Sequence, residues 1–476
     1  MRRMTLARRK GLRSGALSAV IVWAAACSLA LHAGRSPAQD WHLPALDGSP
    51  SFALSREVVP VPASAQSLLE LTDIALRNNP RTRLAWATVR SRAAALGVAR
   101  AAYWPQLDAT LSASYSRTNS SSTGMPGNDL TRYGPAISLS YLLWDFGARA
   151  SEAAAGEAEL LGARLVLDQT LQDVILEVEQ RYYQTQGLSA LVRANEKSLA
   201  SAQASVDAAR QRQQSDLSTV GDVYRAEASL AEVELALQQA RGALASARGA
   251  LASAVGFAPN TELALQPWSA PDTAWMPART VEQVLAQARR ARPELLAAKA
   301  RERAAQARVR QAMSARRPTI SLNAEVGRNH VVDHGTTTNY SVGANLEVPL
   351  FAGFRYRHER ERAEAEVAQA QAETEILLHQ VETEVWQAYQ DVLTAEKMLD
   401  RSEALLKSAQ RAEQAARSRY EVGLDTIVEL LTVQETLAAA RASRVQARMD
   451  YFSALAALGH AAGGLAHSSA PAADEP

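Results

Sequence analysis

Cysteine, aromatic side chains, net charge and long apolar runs are all scarce in this chain, and each scarcity removes a class of protein. Of the 476 residues only Cys27 is a cysteine, so no disulfide can form within the chain. Aromatics make up 5% of it, while alanine, glutamine, arginine and glutamate abound. That mix favours long helices packed through small residues over thick, aromatic-filled interiors. The formal net charge is +1, which gives no electrostatic case for nucleic acid as a partner. Beyond residue 38 no run of about 18 apolar residues occurs, so no transmembrane helix is expected there. No Gly-rich phosphate loop, nucleophile elbow or zinc-ligand spacing is present, and neither an enzymatic activity nor a cofactor is expected. His330 and His334, in HVVDH, could in principle hold a metal. Both fall in a loop or at a strand end, and no metal site is assigned to them.

What is there begins with a leader. The first 39 residues carry no acid; Arg2, Arg3, Arg8, Arg9, Lys10 and Arg13 precede the apolar stretch GALSAVIVWAAACSLALHA. Ser36 and Ala38 are small residues placed for cleavage after Ala38, so residues 1–38 read as a secretory signal peptide. An uncleaved anchor is the alternative. Lipidation at Cys27 is another, although AAAC (Ala24–Cys27) lacks the usual leucine three positions before the cysteine. An exported chain without a membrane-spanning helix is soluble or crosses the membrane as a β-barrel.

The rest of the chain repeats itself. Pro80 and Pro105 correspond to Pro293 and Pro318, 213 positions on. Tyr133 and Tyr340 are 207 positions apart, as are DLSTVGDV (Asp216–Val223) and GLDTIVEL (Gly423–Leu430). The change of offset falls between two strands of each copy and makes that loop six residues longer in the first. Loops tolerate such changes and packed helices do not. Each copy reads as helix, strand, loop, strand, long helix, turn, helix. The predicted elements are 68–103, 106–118, 132–143, 147–213 and 219–256, then 281–316, 319–329, 339–350, 354–421 and 426–462. The division expected is a signal peptide (1–38), an extended periplasmic arm (39–66), repeat 1 (67–256), a linker (257–280), repeat 2 (281–463) and a disordered tail (464–476). At 1.5 Å per residue the long helices each span on the order of 100 Å. Leu378, Val381, Val385, Ala388, Val392, Ala395 and Leu399 are spaced as a coiled-coil seam, whereas copy one has Arg181 and Thr185 on its seam.

The strands alternate with period two. In YWPQLDATLSASYSRT (Tyr103–Thr118) Leu107, Ala109, Leu111, Ala113 and Tyr115 alternate with Asp108, Thr110, Ser112, Ser114 and Ser116, giving one apolar and one polar face. Tyr103, Trp104, Tyr133, Trp144 and Phe146 flank the strands of copy one, and Tyr340, Phe351, Phe354 and Tyr356 those of copy two. Such strands suit an outer-membrane barrel wall. Four cannot close a barrel, and an open edge cannot face lipid, so several chains must share one barrel. Pro135 and Pro349 are expected near strand ends, where a missing donor does least harm. Soluble hairpins capping a coiled coil are the competing reading.

On these features the chain resembles the TolC-like outer-membrane channels of tripartite efflux and type I secretion, over about residues 66–464. The most specific stretch is YEVGLDTIVELLTVQETL (Tyr420–Leu437), with the weaker RQQSDLSTVGDVYRAEASL (Arg212–Leu230) in copy one. The resemblance implies a mainly α fold with a membrane β-barrel portion. It implies a homotrimer in which four strands per chain build a twelve-stranded barrel in the outer-membrane lipid, above a coiled-coil helical tunnel reaching into the periplasm. It also implies passive conduction, with a periplasmic adaptor and an inner-membrane transporter, of ABC type for protein export, as partners. The poor lipoprotein signal leans towards type I secretion of a large repeat-in-toxin protein of cyclolysin type. Multidrug or metal efflux is the alternative, and a periplasmic coiled-coil scaffold is the reading from a different class. In the family, the turns between long and returning helices form the closed periplasmic end; here these are Asp216–Asp222 and Gly423–Glu429. By position Tyr420 and Asp222 look like partners holding it shut. Asp425 stands where the family's best-known member has a basic gate residue, Glu429 matches an acidic ring position, and Thr432 replaces a second acid. A structural role competes for the same residues. Thr219–Asp222 and Thr426–Glu429 both have the pattern of a helix capping box, and Gly423 and Asp216 sit where a helix ends in a left-handed residue.

Overall fold

The structure, a computed structural model, describes residues 64–118, 128–266 and 280–464, all within one compact unit, Val58–Pro476. The expected signal peptide, nearly all of the N-terminal arm, the middle of the linker and nearly all of the tail lie outside the described residues. The first repeat supplies α1 (Leu68–Asn78), α2 (Pro80–Ala101), β1 (Gln106–Thr118), β2 (Asn128–Trp144), α3 (Ala148–Gln214) and α4 (Val220–Val255). The second supplies α5 (Val281–Ala291), α6 (Pro293–Ser314), β3 (Thr319–Val331), β4 (Gly335–Glu347), α7 (Arg355–Glu421) and α8 (Ile427–Ala461). Displacement by 213 carries α1, α2 and β1 onto α5, α6 and β3; displacement by 207 carries the start of β2, α3 and α4 onto the starts of β4, α7 and α8. Nine residues (119–127) separate β1 from β2 and three (332–334) separate β3 from β4, so the length change sits in that loop.

Two expectations need correction. Each pre-strand helix, predicted as one piece, is two. Asn79 and Arg292 have extended backbones (ψ 128° and 121°) and are followed by Pro80 and Pro293 as the first residues of α2 and α6. Proline has no N–H to continue a helix and disfavours helical geometry in the residue before it. Two of the strands also start earlier than predicted. β2 begins at Asn128, β4 begins at Gly335, and Pro349 lies beyond β4. Pro135 is inside β2, opposite Leu111 on β1. It is tolerated because the β2–β3 ladder skips Gly134 and Pro135, resuming at Ala136 opposite Gly327, so no donor is missed there.

The strands form one antiparallel sheet in the order β1-β2-β3-β4, with β1 and β4 as its edges. Register aligns the two faces across all four strands. Ala109 lies opposite Ile137, Ile137 opposite Val326 and Val326 opposite Tyr340; Leu107, Leu139, Ala324 and Val342 form the adjacent row. The other face carries Asp108, Ser138, Glu325 and Ser341 in register. A continuous apolar face backed by a polar one is what a wall between lipid and water requires.

Each long helix has 67 residues and packs against shorter partners in succession, α2 and α4 on α3, and α6 and α8 on α7, with α6 and α8 also packed against α3. Where the partners meet, a core forms. Leu71, Val174, Val178 and Leu251 are 0–1% exposed, joined by Tyr183 and Phe452 stacked at 5.3 Å. Their counterparts in repeat two, Val284, Val381, Val385 and Leu458, form a second core. Burying each such aliphatic side chain is worth about 1.5–3 kcal/mol. Thr185, polar on the poorer seam, is buried with its hydroxyl donating to the carbonyls of Arg181 (2.8 Å) and Ala247 (3.3 Å).

The junction itself is tight. Asn79 accepts from Arg81 N at 2.8 Å and donates its amide to Ala254 O at 3.0 Å, tying the start of α2 to the end of α4. Gly256 follows at φ +95°, where a Cβ would lie 2.8–2.9 Å from Asn78. Gly256→Ala is therefore expected to destabilise the protein by about 1–3 kcal/mol, seen as a lower thermal unfolding midpoint. Gly97→Ala, with open space around it, should leave the midpoint unchanged or raise it slightly.

Candidate functional site

The turns joining each long helix to its returning partner are built alike. Both end the long helix in a Schellman arrangement: Leu217 N donates to Arg212 O and Asp216 N to Gln213 O in one, Leu424 N to Arg419 O and Gly423 N to Tyr420 O in the other. The residue that must adopt a left-handed conformation is Asp216 (φ 56°) in the first and Gly423 (φ 81°) in the second. Glycine does this without steric penalty and aspartate with less than most residues.

The returning helices start differently. Thr219 and Asp222 form a complete capping box: Asp222 N donates to Thr219 Oγ1 at 3.3 Å and Thr219 N donates back to Asp222 Oδ2 at 3.0 Å. Those bonds, with Arg225 nearby, hold the Asp222 carboxyl below its ordinary range. At Thr426 only half of the box forms. Glu429 N donates to Thr426 Oγ1 at 3.3 Å, without the return bond from the Glu429 carboxylate. Glu429 is exposed, and its carboxylate is not committed to the cap. Thr432, one turn on, donates its hydroxyl to Val428 O at 2.9 Å.

The remaining site residues are arranged around two arginines that the sequence reading did not single out. Arg212 reaches across from the end of α3 to α7, donating to Tyr420 O at 2.8 Å with its guanidinium 5.0 Å from the Tyr420 ring centroid. Tyr420 is 4% exposed among Val206, Val223, Ile427 and Leu430. Burial raises its phenol pKa, against the lowering effect of Arg212. Its hydroxyl has no hydrogen-bond partner among the described residues, so Tyr420 and Asp222 are neighbours without a bond between them. Arg419, the repeat counterpart of Arg212, instead pairs with Asp425 at 3.0 Å. The 207-residue offset links these two arginines and could have revealed them. Elsewhere His330 faces Tyr133, ring centroids 5.0 Å apart, and His334 contacts Val332 O.

The outer membrane efflux protein family matches residues 71–257 and 284–464. The chain is 32% identical to Protein CyaE of Bordetella pertussis, over 87% of this chain and 89% of that one. It is 27% identical to the outer membrane efflux protein BepC of Brucella suis, over 82% and 83%. Its fold is that of the outer-membrane channel OprN, with a TM-score of 0.75 at 21% identity, covering 87% of this chain and 96% of the other.

A depressed carboxyl pKa contributes stability above the ordinary aspartate range, lost as pH falls through the lowered value. Hydrogen exchange at residues 219–226 should therefore be well protected near neutral pH and lose protection on acidification, slowing less than the intrinsic rate does. Thr219→Ala should quicken it about fivefold already at neutral pH, the loss of about 1 kcal/mol of cap. In Asp222→Asn the extra acid dependence should vanish.

Proposed function

The chain belongs to the outer membrane efflux protein family, whose members are outer-membrane channels, and on that premise we propose that it is the duct of a type I protein-export system. The observation that carries a duct is the sheet. Its apolar and polar faces are aligned through four strands, and β1 and β4 remain as open edges. In hydrocarbon an unpaired edge leaves backbone groups unsatisfied at several kcal/mol each. Pairing β1 of one chain with β4 of the next removes both edges, and three chains make a twelve-stranded homotrimeric barrel. The helices would continue the barrel into the periplasm and meet an adaptor and an ABC-type inner-membrane transporter there. The chain conducts and does not catalyse; transport is driven from the inner membrane. In this reading the signal peptide (1–38) and arm (39–66) precede the two repeats, and the linker wraps between them.

Protein export is favoured over small-molecule efflux by the poor lipoprotein pattern at Ala24–Cys27. Comparing the culture-supernatant proteome of a strain lacking this protein with its parent tests the assignment. One large protein lost from the medium and retained in the cells is the expected result. An unchanged supernatant, where the parent does secrete, overturns it in favour of efflux.

The two turns are proposed as the closed periplasmic end, with Glu429 as its uncommitted carboxylate and Tyr420, Asp222 and Asp425 in supporting contacts. Three symmetry-related carboxylates in a narrow pore favour cations. In planar bilayers Glu429→Gln should lower cation selectivity clearly. Asp425→Asn should change it little, because Asp425 is already neutralised by Arg419.

A further inference from the structure

The repeats differ in charge where the helices enter the barrel. In repeat one the place is filled. Asp145 and Arg149 are paired at 3.1 Å, with side chains 9% and 11% exposed. Arg149 donates to Ala102 O at 3.1 Å and Leu142 O at 2.7 Å, and its guanidinium lies 4.9 Å from the Tyr103 ring centroid. The counterparts of Asp145 and Arg149 in repeat two are Ala352 and Tyr356, so this plug is missing. The counterparts of Tyr103 and Trp104 are Arg316 and Arg317.

What results is a cleft of about 480 Å³ between the end of α6 and the start of α7, lined by Met313, Arg316, Arg317, Tyr356, Arg357 and Arg360. Arg357 and Arg360 are each balanced by a glutamate four residues on, Glu361 and Glu364. Arg316 and Arg317 have no carboxylate partner among the described residues; Arg317 donates only to Phe146 O at 3.4 Å. The cleft also opens on the N-terminus of a 67-residue helix whose first turn has no acidic residue and no side-chain cap, so the positive end of its dipole adds to the field. Next to it β3 begins at Thr319, and Phe351 and Phe354, in edge-to-face contact at 5.6 Å, stand 78% and 65% exposed. Exposed aromatics beside a strand end mark the membrane interface, and this end is the one from which the helices leave. A cationic cleft with an apolar wall at that depth faces phosphates.

We propose that this cleft binds the phosphate of an anionic phospholipid headgroup from the periplasmic leaflet of the outer membrane, one per chain. Arg316 and Arg317 supply the unmatched charge, and guanidinium groups suit the bidentate geometry of phosphate oxygens. Tyr356 offers a hydroxyl, and Met313 an apolar flank for the glycerol and first methylenes. The site rests on the barrel lying in the membrane and not on the cargo, so failure of the secretion experiment would leave it standing.

Native mass spectrometry of the full-length detergent-purified protein tests it with phosphatidylglycerol, phosphatidylcholine and inorganic phosphate as separate probes. Phosphatidylglycerol should bind up to one per chain and phosphatidylcholine much more weakly. Arg316→Gln/Arg317→Gln should lower phosphatidylglycerol affinity on the order of tenfold. Removing two charges on α2, by Arg83→Gln/Arg90→Gln, should leave it unchanged. Should the first double variant fail to assemble, Arg316→Gln alone carries the comparison. Equal binding of the two lipids, or unchanged binding in the Arg316 and Arg317 variants, overturns the site. Inorganic phosphate binding as well as the lipid would make it a free-anion site and overturn the lipid assignment.

Discussion

A helix of 67 residues depends on being covered along its whole length, because most helical stability in proteins comes from packing an apolar face rather than from propensity. Neither α3 nor α7 has a partner as long as itself. α7 is covered by α6 and α8 laid in succession, and α3 by α2 and α4 together with the same α6 and α8; much of the rest follows from where the shorter helices meet. The residues there are buried, Leu71, Val174, Val178 and Leu251 in one repeat and Val284, Val381, Val385 and Leu458 in the other. Asn79 and Gly256 close the first junction. At the second, Arg292 is buried between Glu294 and Glu384 at 2.7 and 2.6 Å, with Gly463 at φ +72° against Ala291 and Arg292. Helix lengths match between the repeats to within one residue because a slip at either junction would uncouple the pair.

Beyond the exchange of Asn79 for Arg292 at the junctions, the repeats differ at both ends. At the turns, a completed cap at Thr219 and Asp222 contrasts with an incomplete one at Thr426 and Glu429, and two equivalent arginines choose different partners. At the barrel rim, a buried ion pair in one repeat contrasts with unmatched arginines in the other. Between the ends the repeats share their main packing positions. Duplication gives each half a working scaffold, and the scaffold's ends are where one copy can change without disturbing the other's packing.

Much of the architecture was legible because offset and alternation are properties of a single sequence. The 213- and 207-residue displacements, the loop that absorbs their difference, and the period-two strands needed no coordinates. The helix breaks at Pro80 and Pro293 were legible too, since a proline twelve residues into a helical pattern ordinarily ends or kinks it, but the apolar pattern runs on across both. Pro135 was placed at a strand end because the gap in the β2–β3 ladder depends on a neighbouring strand. At the turns Thr219, Asp222, Thr426 and Glu429 carried a local signal. That Glu429 leaves its box half made is a matter of side-chain rotamer, and the reach of Arg212 to Tyr420 spans 208 positions.

The open edges of the sheet also govern how the protein can be assembled. β1 and β4 are both 13 residues long, so a seam between chains can be as long as the junction between neighbouring strands within one. An arc made of any number of chains still exposes one β1 and one β4, whether it holds one chain or two. Adding a chain therefore moves the exposed edges without removing them, and the penalty in lipid disappears only when the last seam closes. Each seam pairs one β1 with one β4, yet a partial assembly still presents an open edge of each kind, so in the proposed ring closure is cooperative and incomplete arcs are disfavoured in the hydrocarbon.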